Sequence, residues 1–284
     1  MPTILVRVFL GAALVTVSAS HDGRAQSGAQ TINADTVEFK SGALALRGLV
    51  WRPAGRGPFP AILFTHGSGR ATYTREMASI GPFYASHGYV LFWPYRRGQG
   101  LSAGRGEYIV DLMDRAESTQ GPPGRSKVMA DLLATEQMDD ELAALEYLKR
   151  MPGVDRARLA VAGNSFGGIL AVFLAERGPG VRAVVASAPA AQTWASSPDI
   201  RARLLEAAAH ARAPIFFMQA ENDYDLSPSR VLSAEMQRVG RPYRVKIFPP
   251  FGATTAEGHS FGYFGTDIWR ADVLGFLEEN LRKP

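Results

Sequence analysis

The chain has 284 residues, 46% hydrophobic and 20% charged, with a formal net charge of +4 and no cysteine. That length and composition fit one large soluble α/β domain able to bury a core without covalent staples. The lack of cysteine excludes disulfides, thiolate metal sites and a cysteine nucleophile, and arginines scattered without a basic block argue against nucleic acid as a partner.

Residues 1–20 read as a secretory signal. Arg7 supplies a positive n-region, Val8 to Val17 an apolar stretch, and Ser18-Ala19-Ser20 a small-x-small cleavage site. A second small-residue pattern, Ala25-Gln26-Ser27, places the mature start between residues 21 and 28. The apolar run falls short of the roughly 20 residues a bilayer requires. An uncleaved anchor is the alternative; after cleavage no stable membrane insertion is expected, and the expected location is the periplasm or the medium.

Residues 28–284 read as a single domain. Thr36 to Lys40 and Leu44 to Trp51 predict two strands around a Ser41-Gly42 turn. Ala61 to Phe64 is a buried strand, Arg75 to His87 a helix ending at Gly88, and Tyr89 to Trp93 the next buried strand. Residues 98–126, rich in glycine and broken by Gly121-Pro122-Pro123-Gly124, read as irregular. Within them Tyr108 to Met113 is an apolar patch, either a small lid or a short helix packed on the core. Lys127 to Arg150 then predicts one long helix. Further strands are expected at Arg158–Ala162, Val181–Ala186, Pro214–Met218 and Tyr243–Phe248. Helices are expected at Gly168–Ala175, Ile200–Arg212, Pro228–Val239 and Ile268–Leu281. This alternation predicts an α/β fold whose mostly parallel sheet is covered by helices on both faces, with antiparallel strands at its N-terminal edge and no large cap domain.

Gly163-Asn164-Ser165-Phe166-Gly167 is a G-x-S-x-G match between a predicted strand and a predicted helix, the context of a nucleophile elbow. A serine on so tight a turn needs glycines two residues away on each side, where Cβ atoms would collide. The helix start after it turns free backbone N–H groups toward developing negative charge. A serine nucleophile also needs a base and a carboxylate that orients it. Of five histidines, His21 lies at the signal boundary, His87 at a helix end and His210 in an alanine-rich helix. His66 follows a strand in His66-Gly67-Ser68-Gly69. His259, in the glycine-rich stretch between the last strand and last helix, is the better base, since a loop there reaches over the sheet edge. Glu221, Asp223 and Asp225 compete for the carboxylate in the loop after Pro214–Ala220; Asp225 is also a natural cap for the helix beginning near Pro228.

With these motifs in order, the chain resembles an α/β-hydrolase of the dienelactone hydrolase-like group, and is similar also to the catalytic domain of prolyl oligopeptidase-type peptidases. The resemblance runs from about residue 35 to the end. It rests on His66-Gly67-Ser68-Gly69, Arg97-Gly98-Gln99-Gly100-Leu101-Ser102, Gly163–Gly168, Ala220-Glu221-Asn222-Asp223 and Gly258-His259-Ser260-Phe261. It implies Ser165 as nucleophile, Asp223 as acid, His259 as base, and an oxyanion hole from the backbone N–H groups of Ser68 and Phe166. Two departures stand out. Dienelactone hydrolases proper use a cysteine nucleophile, so their lactone substrate does not carry over. Tyr95 stands where relatives usually have an aspartate two residues before the arginine of R-G-x-G.

The expected function is hydrolysis of small to medium carboxylic esters through an acyl-enzyme, with a small-molecule substrate and no metal or organic cofactor. A small peptidase or amidase of the prolyl oligopeptidase-like type is the alternative, because the same triad cleaves both bond types. A non-catalytic binding protein on the same fold is the alternative of another class.

Overall fold

A computed structural model describes residues 33–71 and 73–282, which form one α/β unit. The expected signal over residues 1–20 lies outside the described residues. The N-terminal strands β1 (Asp35–Ser41) and β2 (Leu44–Trp51) form the expected hairpin, with Gly42 at a φ of 56° in its turn. Then come β3 (Phe59–Thr65), α1 (Thr74–Ser86), β4 (Val90–Pro94), α2 (Ile109–Ala134), α3 (Glu136–Arg150), β5 (Val154–Asn164) and α4 (Phe166–Arg177). The C-terminal half adds β6 (Val181–Ser187), α5 (Pro198–Ala209), β7 (Ile215–Ala220), α6 (Ser227–Arg238) and β8 (Tyr243–Phe248). It ends with α7 (Thr255–His259), α8 (Phe261–Phe264) and α9 (Thr266–Leu281).

The eight strands lie in the order β1-β2-β4-β3-β5-β6-β7-β8, antiparallel at β1, β2 and β4 and parallel from β4 to β8. Because side chains alternate across a strand, β3 feeds both faces: Ala61 and Leu63 enter one core, Ile62 and Phe64 the other. Helices α2 to α6 cover the first face, and α1, α8 and α9 the second. This is the expected α/β-hydrolase architecture. Chain order reverses between β3 and β5: the connection from β3 leads outward to β4, whereas everything after β5 proceeds the other way. Crevices at such switch points, beyond the carboxyl ends of the strands, are where ligands bind in open α/β sheets.

Two expectations between β4 and β5 are corrected. Residues 98–126 are not irregular throughout: after a short turn at Gly100–Ser102, α2 begins at Ile109 and runs on with one interruption, at Gly121 (φ 69°, ψ −170°). Ile109, Met113 and Ala116 are buried on the core, and that burial outweighs the local glycine and proline content. Pro122 and Pro123 are tolerated because they restart the helix just after the break, where a proline's missing N–H costs nothing. The helix expected over 127–150 is in turn two, parted at Thr135 (φ −120°, ψ −98°).

Candidate active site

The elbow is built by close approach of backbone. Ser165 has a φ of 60° and ψ of −121°, a conformation that costs a non-glycine residue about 1–3 kcal/mol and persists only where its surroundings impose it. Here they do. The Ser165 N–H donates to the Ser187 carbonyl at 3.1 Å, and Thr65 Oγ1, at the end of β3, donates to the Gly167 carbonyl at 2.6 Å. A Cβ on Gly163 would lie 2.0 Å from Thr65 Oγ1, and one on Gly167 would lie 1.8 Å from the Thr65 carbonyl oxygen. The two glycines of the motif are therefore required by the approach of β3 to the turn.

His259 and Asp223, 36 residues apart, meet beyond β7 and β8. His259 Nδ1–H donates to Asp223 Oδ1 at 2.8 Å. The Asp223 side chain is fully buried, and that of His259 is 12% exposed. Asp223 also accepts from the Tyr224 N–H at 2.7 Å and from Gln219 Nε2 at 2.8 Å, so its two oxygens are both engaged. His259 Nε2 is buried and makes no hydrogen bond among the described residues. With Nδ1 committed to a carboxylate, the imidazole is held in the tautomer whose Nε2 lone pair is free to take a proton.

Of the competing acids, Asp225 accepts the Ser227 N–H at 2.8 Å at the start of α6, and Glu221 is exposed. Neither meets the imidazole. His66 is brought near the site but as part of its frame: it is fully buried, and Nδ1 donates to the Gly67 carbonyl at 2.9 Å. Burial, reinforced by the nearby Arg96 charge, lowers its pKa well below the usual histidine range.

The surroundings of His259 correct one expectation. It stands at the end of the one-turn helix α7 rather than in an open loop, and Thr254 and Glu257 form a capping box at the start of that turn. The Thr-x-x-Glu spacing was legible in the sequence as a helix start. Asn222 joins the turn to the β7 loop, donating to the Phe251 and Thr254 carbonyls at 3.0 Å each. Gly258 packs so closely that a Cβ there would lie 2.6 Å from Asn222 Oδ1.

Ser68 and Phe166 share the wall of a cavity of about 380 Å³. Val110, Met113 and Met129 of α2 give it an apolar side, and Gln192, Thr193, Ser196 and Ser197 a polar one. Tyr108 to Met113 thus unites the two alternatives for that patch: Ile109 and Met113 pack on the core, while Val110 and Met113 face the cavity. Among the described residues that line it, Arg125 is the one cation, and it is paired with both Asp114 and Glu117.

Sequence reasoning did not single out Arg96, Glu141, Tyr73 or Tyr263, which frame the Ser68 loop. Arg96 is 1% exposed and donates to Glu141 Oε1 at 2.9 Å and to the Gly67 carbonyl at 2.8 Å. Glu141, fully buried, has its pKa pushed up to about 7 by burial, against the opposing pull of Arg96. Arg97, of the R-G-x-G stretch, is held by Asp140 at 2.8 Å and Glu136 at 3.3 Å. Acids on α3 therefore brace this loop. Tyr73, Tyr108 and Tyr263 also reach the Ser68 loop.

Among known proteins, the model of the Dienelactone hydrolase family matches residues 46–263. A curated Bacillus subtilis protein, "Uncharacterized peptidase YtmA", is 26% identical over 152 residues, which are 54% of this chain and 49% of that one. The chain thus spans about half the length of the curated relative it matches. Among solved structures, the acylaminoacyl peptidase of Pyrococcus horikoshii has a TM-score of 0.66 at 21% identity, covering 90% of this chain and 43% of that one. An esterase from Pyrococcus furiosus has a TM-score of 0.63 at 15% identity, covering 89% of this chain and 92% of that one. At these identities the structural likenesses establish the shared fold.

Proposed function

As the chain belongs to the dienelactone hydrolase family, hydrolysis is the premise, and we propose that it is a serine hydrolase cleaving neutral carboxylic esters of small to medium size. The observation that carries this reading is the buried His259–Asp223 contact with a free Nε2, at the same sheet edge as a strained serine. Ser165 Oγ attacks the ester carbonyl carbon while His259 Nε2 takes its proton. Asp223 stabilises the imidazolium, and the Ser68 and Phe166 N–H groups receive the oxyanion. As the intermediate collapses, Nε2 returns the proton to the departing alkoxide. Water then repeats the sequence and frees the acid.

The cavity supports the substrate class. Its 380 Å³ lies near the lower end of the ~300–1,000 Å³ typical of ligand pockets. With Arg125 already matched by two carboxylates, the cavity offers an acyl carboxylate no unpaired cation. The peptidase reading is kept alive by the name of the Bacillus subtilis relative and by the acylaminoacyl peptidase likeness. Export is proposed on residues 1–20 alone.

The deciding experiment compares wild type with Ser165→Ala on p-nitrophenyl esters of two to twelve carbons and on aminoacyl-nitroanilides. We expect kcat/KM to level off after the first few carbons, anilides to react poorly, and Ser165→Ala to lose several orders of magnitude in kcat. Anilide turnover above ester turnover, or a series still rising at twelve carbons, overturns the ester assignment. A Ser165→Ala variant keeping a tenth of the activity overturns the nucleophile.

A further inference from the structure

The segment from His66 to Gly69 is tied down at nearly every backbone group. The Gly67 N–H donates to Tyr263 Oη at 3.0 Å, and the Gly69 N–H donates to Tyr73 Oη. Tyr108 Oη donates to the Ser68 carbonyl at 2.5 Å, and Gln99 Nε2 donates to the Gly69 carbonyl at 2.8 Å. The Gly67 carbonyl accepts from Arg96 Nη2 at 2.8 Å and from His66 Nδ1 at 2.9 Å, and Arg96 Nη2 also reaches the His66 carbonyl at 3.0 Å. Between two committed amides, the Ser68 N–H makes no hydrogen bond among the described residues.

The Gly67 carbonyl and the Ser68 N–H belong to one planar trans peptide, so holding the oxygen fixes the direction of the N–H. A guanidinium on that oxygen also draws electron density from the amide, strengthening its N–H as a donor by about 10–30%. Burying the Arg96–Glu141 pair is weak support for stability, since apolar replacements of such pairs are often neutral or better. The pair therefore calls for another role. We infer that Arg96, Tyr73, Tyr108 and Tyr263 act as one clamp of positioning residues that aims the Ser68 N–H at the oxyanion of the reaction. The inference rests on the proposed serine-hydrolase reading and adds to it what sets the donor. Burial pushes the Tyr73 hydroxyl up to about 12 and that of Tyr263 well above its usual value, so both phenols stay neutral while accepting these amides.

The test uses three full-length variants: Arg96→Met with Glu141→Leu, which removes both buried charges together, Tyr108→Phe and Tyr263→Phe. Each is assayed for kcat and KM on p-nitrophenyl butyrate and for affinity toward a trifluoromethyl ketone, whose serine adduct carries an oxyanion. We expect kcat to fall about 10–100-fold in the charge-free variant and about 3–10-fold in each tyrosine variant, with KM within about twofold. Ketone affinity should fall in parallel with kcat/KM. In the two tyrosine variants the acid limb of the pH–rate profile should stay in place, because neither hydroxyl contacts His259 or Asp223. Folded variants that keep kcat and ketone affinity within about twofold overturn the clamp, as does a loss expressed in KM alone or an acid limb displaced in a tyrosine variant. Should the charge-free variant not fold, the two single-hydroxyl deletions decide by the same readouts. A wild-type protein inert toward both ester and ketone overturns the underlying reading, and the clamp with it.

Discussion

Replacing Gly167 by alanine tests the construction of the elbow. The added Cβ would lie 1.8 Å from the Thr65 carbonyl oxygen, 2.4 Å from its carbon and 2.8 Å from the His66 carbonyl oxygen. All three are backbone atoms at or just past the end of the central strand β3 and cannot swing aside, so the start of α4 and the end of β3 must part by roughly 1 Å. Overpacking of this kind costs about 1–3 kcal/mol. Losing the 2.6 Å bond from Thr65 Oγ1 to the Gly167 carbonyl adds about 1 kcal/mol. For a domain of this size the sum lowers Tm by roughly 5–15 °C. Displacement on the scale of 1 Å beside the nucleophile should also cost about 10²-fold in kcat. Gly275→Ala is the control: it lies inside α9 with nothing within 4 Å of the added methyl. That change should stabilise by about 0.5–1 kcal/mol through helix propensity and lost unfolded-state freedom. Differential scanning calorimetry of both variants, with ester assays alongside, checks the pair. A Gly167→Ala protein melting within 2 °C of wild type, or a Gly275→Ala protein melting below it, would refute the steric reasoning.

The acid assignment separates two neighbours: Asp223→Asn should cost about 10⁴-fold in kcat by removing the acceptor for His259 Nδ1–H. Asp225→Asn should cost at most about 1 kcal/mol of stability and leave turnover nearly intact, since its side chain serves the α6 start; the reverse order of losses contradicts the assignment. A pH prediction concerns Glu141, whose folded pKa near 7 exceeds the unfolded value of about 4.5. The folded state then binds more protons than the unfolded one between those values, and the contribution of this group to stability falls as pH rises through that window. Urea unfolding at pH 5 and pH 8 should show wild type losing on the order of 3 kcal/mol relative to Glu141→Gln; a difference independent of pH disproves it. Finally, amino-terminal sequencing of protein from periplasm or medium should begin between residues 21 and 28, and an intact Met1 on membrane-bound material would favour the anchor.

What the sequence determined by itself was what short-range physics controls. The elbow pentapeptide, the buried strands and the helices around them are each specified by residues a few positions apart, and most expected elements lie within a few residues of the observed ones. Residues 98–126 escaped this logic because α2 is held by Ile109, Met113 and Ala116 against the core, a gain that a glycine-rich and proline-rich window does not reveal. The choice among Glu221, Asp223 and Asp225 likewise needed tertiary structure, since all three sit within five residues and only one carboxylate meets the imidazole. The frame of the Ser68 loop left still less trace. Tyr263 and Gly67 are 196 residues apart, Arg96 and Glu141 are 45 apart, and contacts closed over such distances impose no spacing on the chain. Their partners are chosen by how β3, β4, α3 and α8 pack at the switch point, and that packing exists only once the sheet has formed.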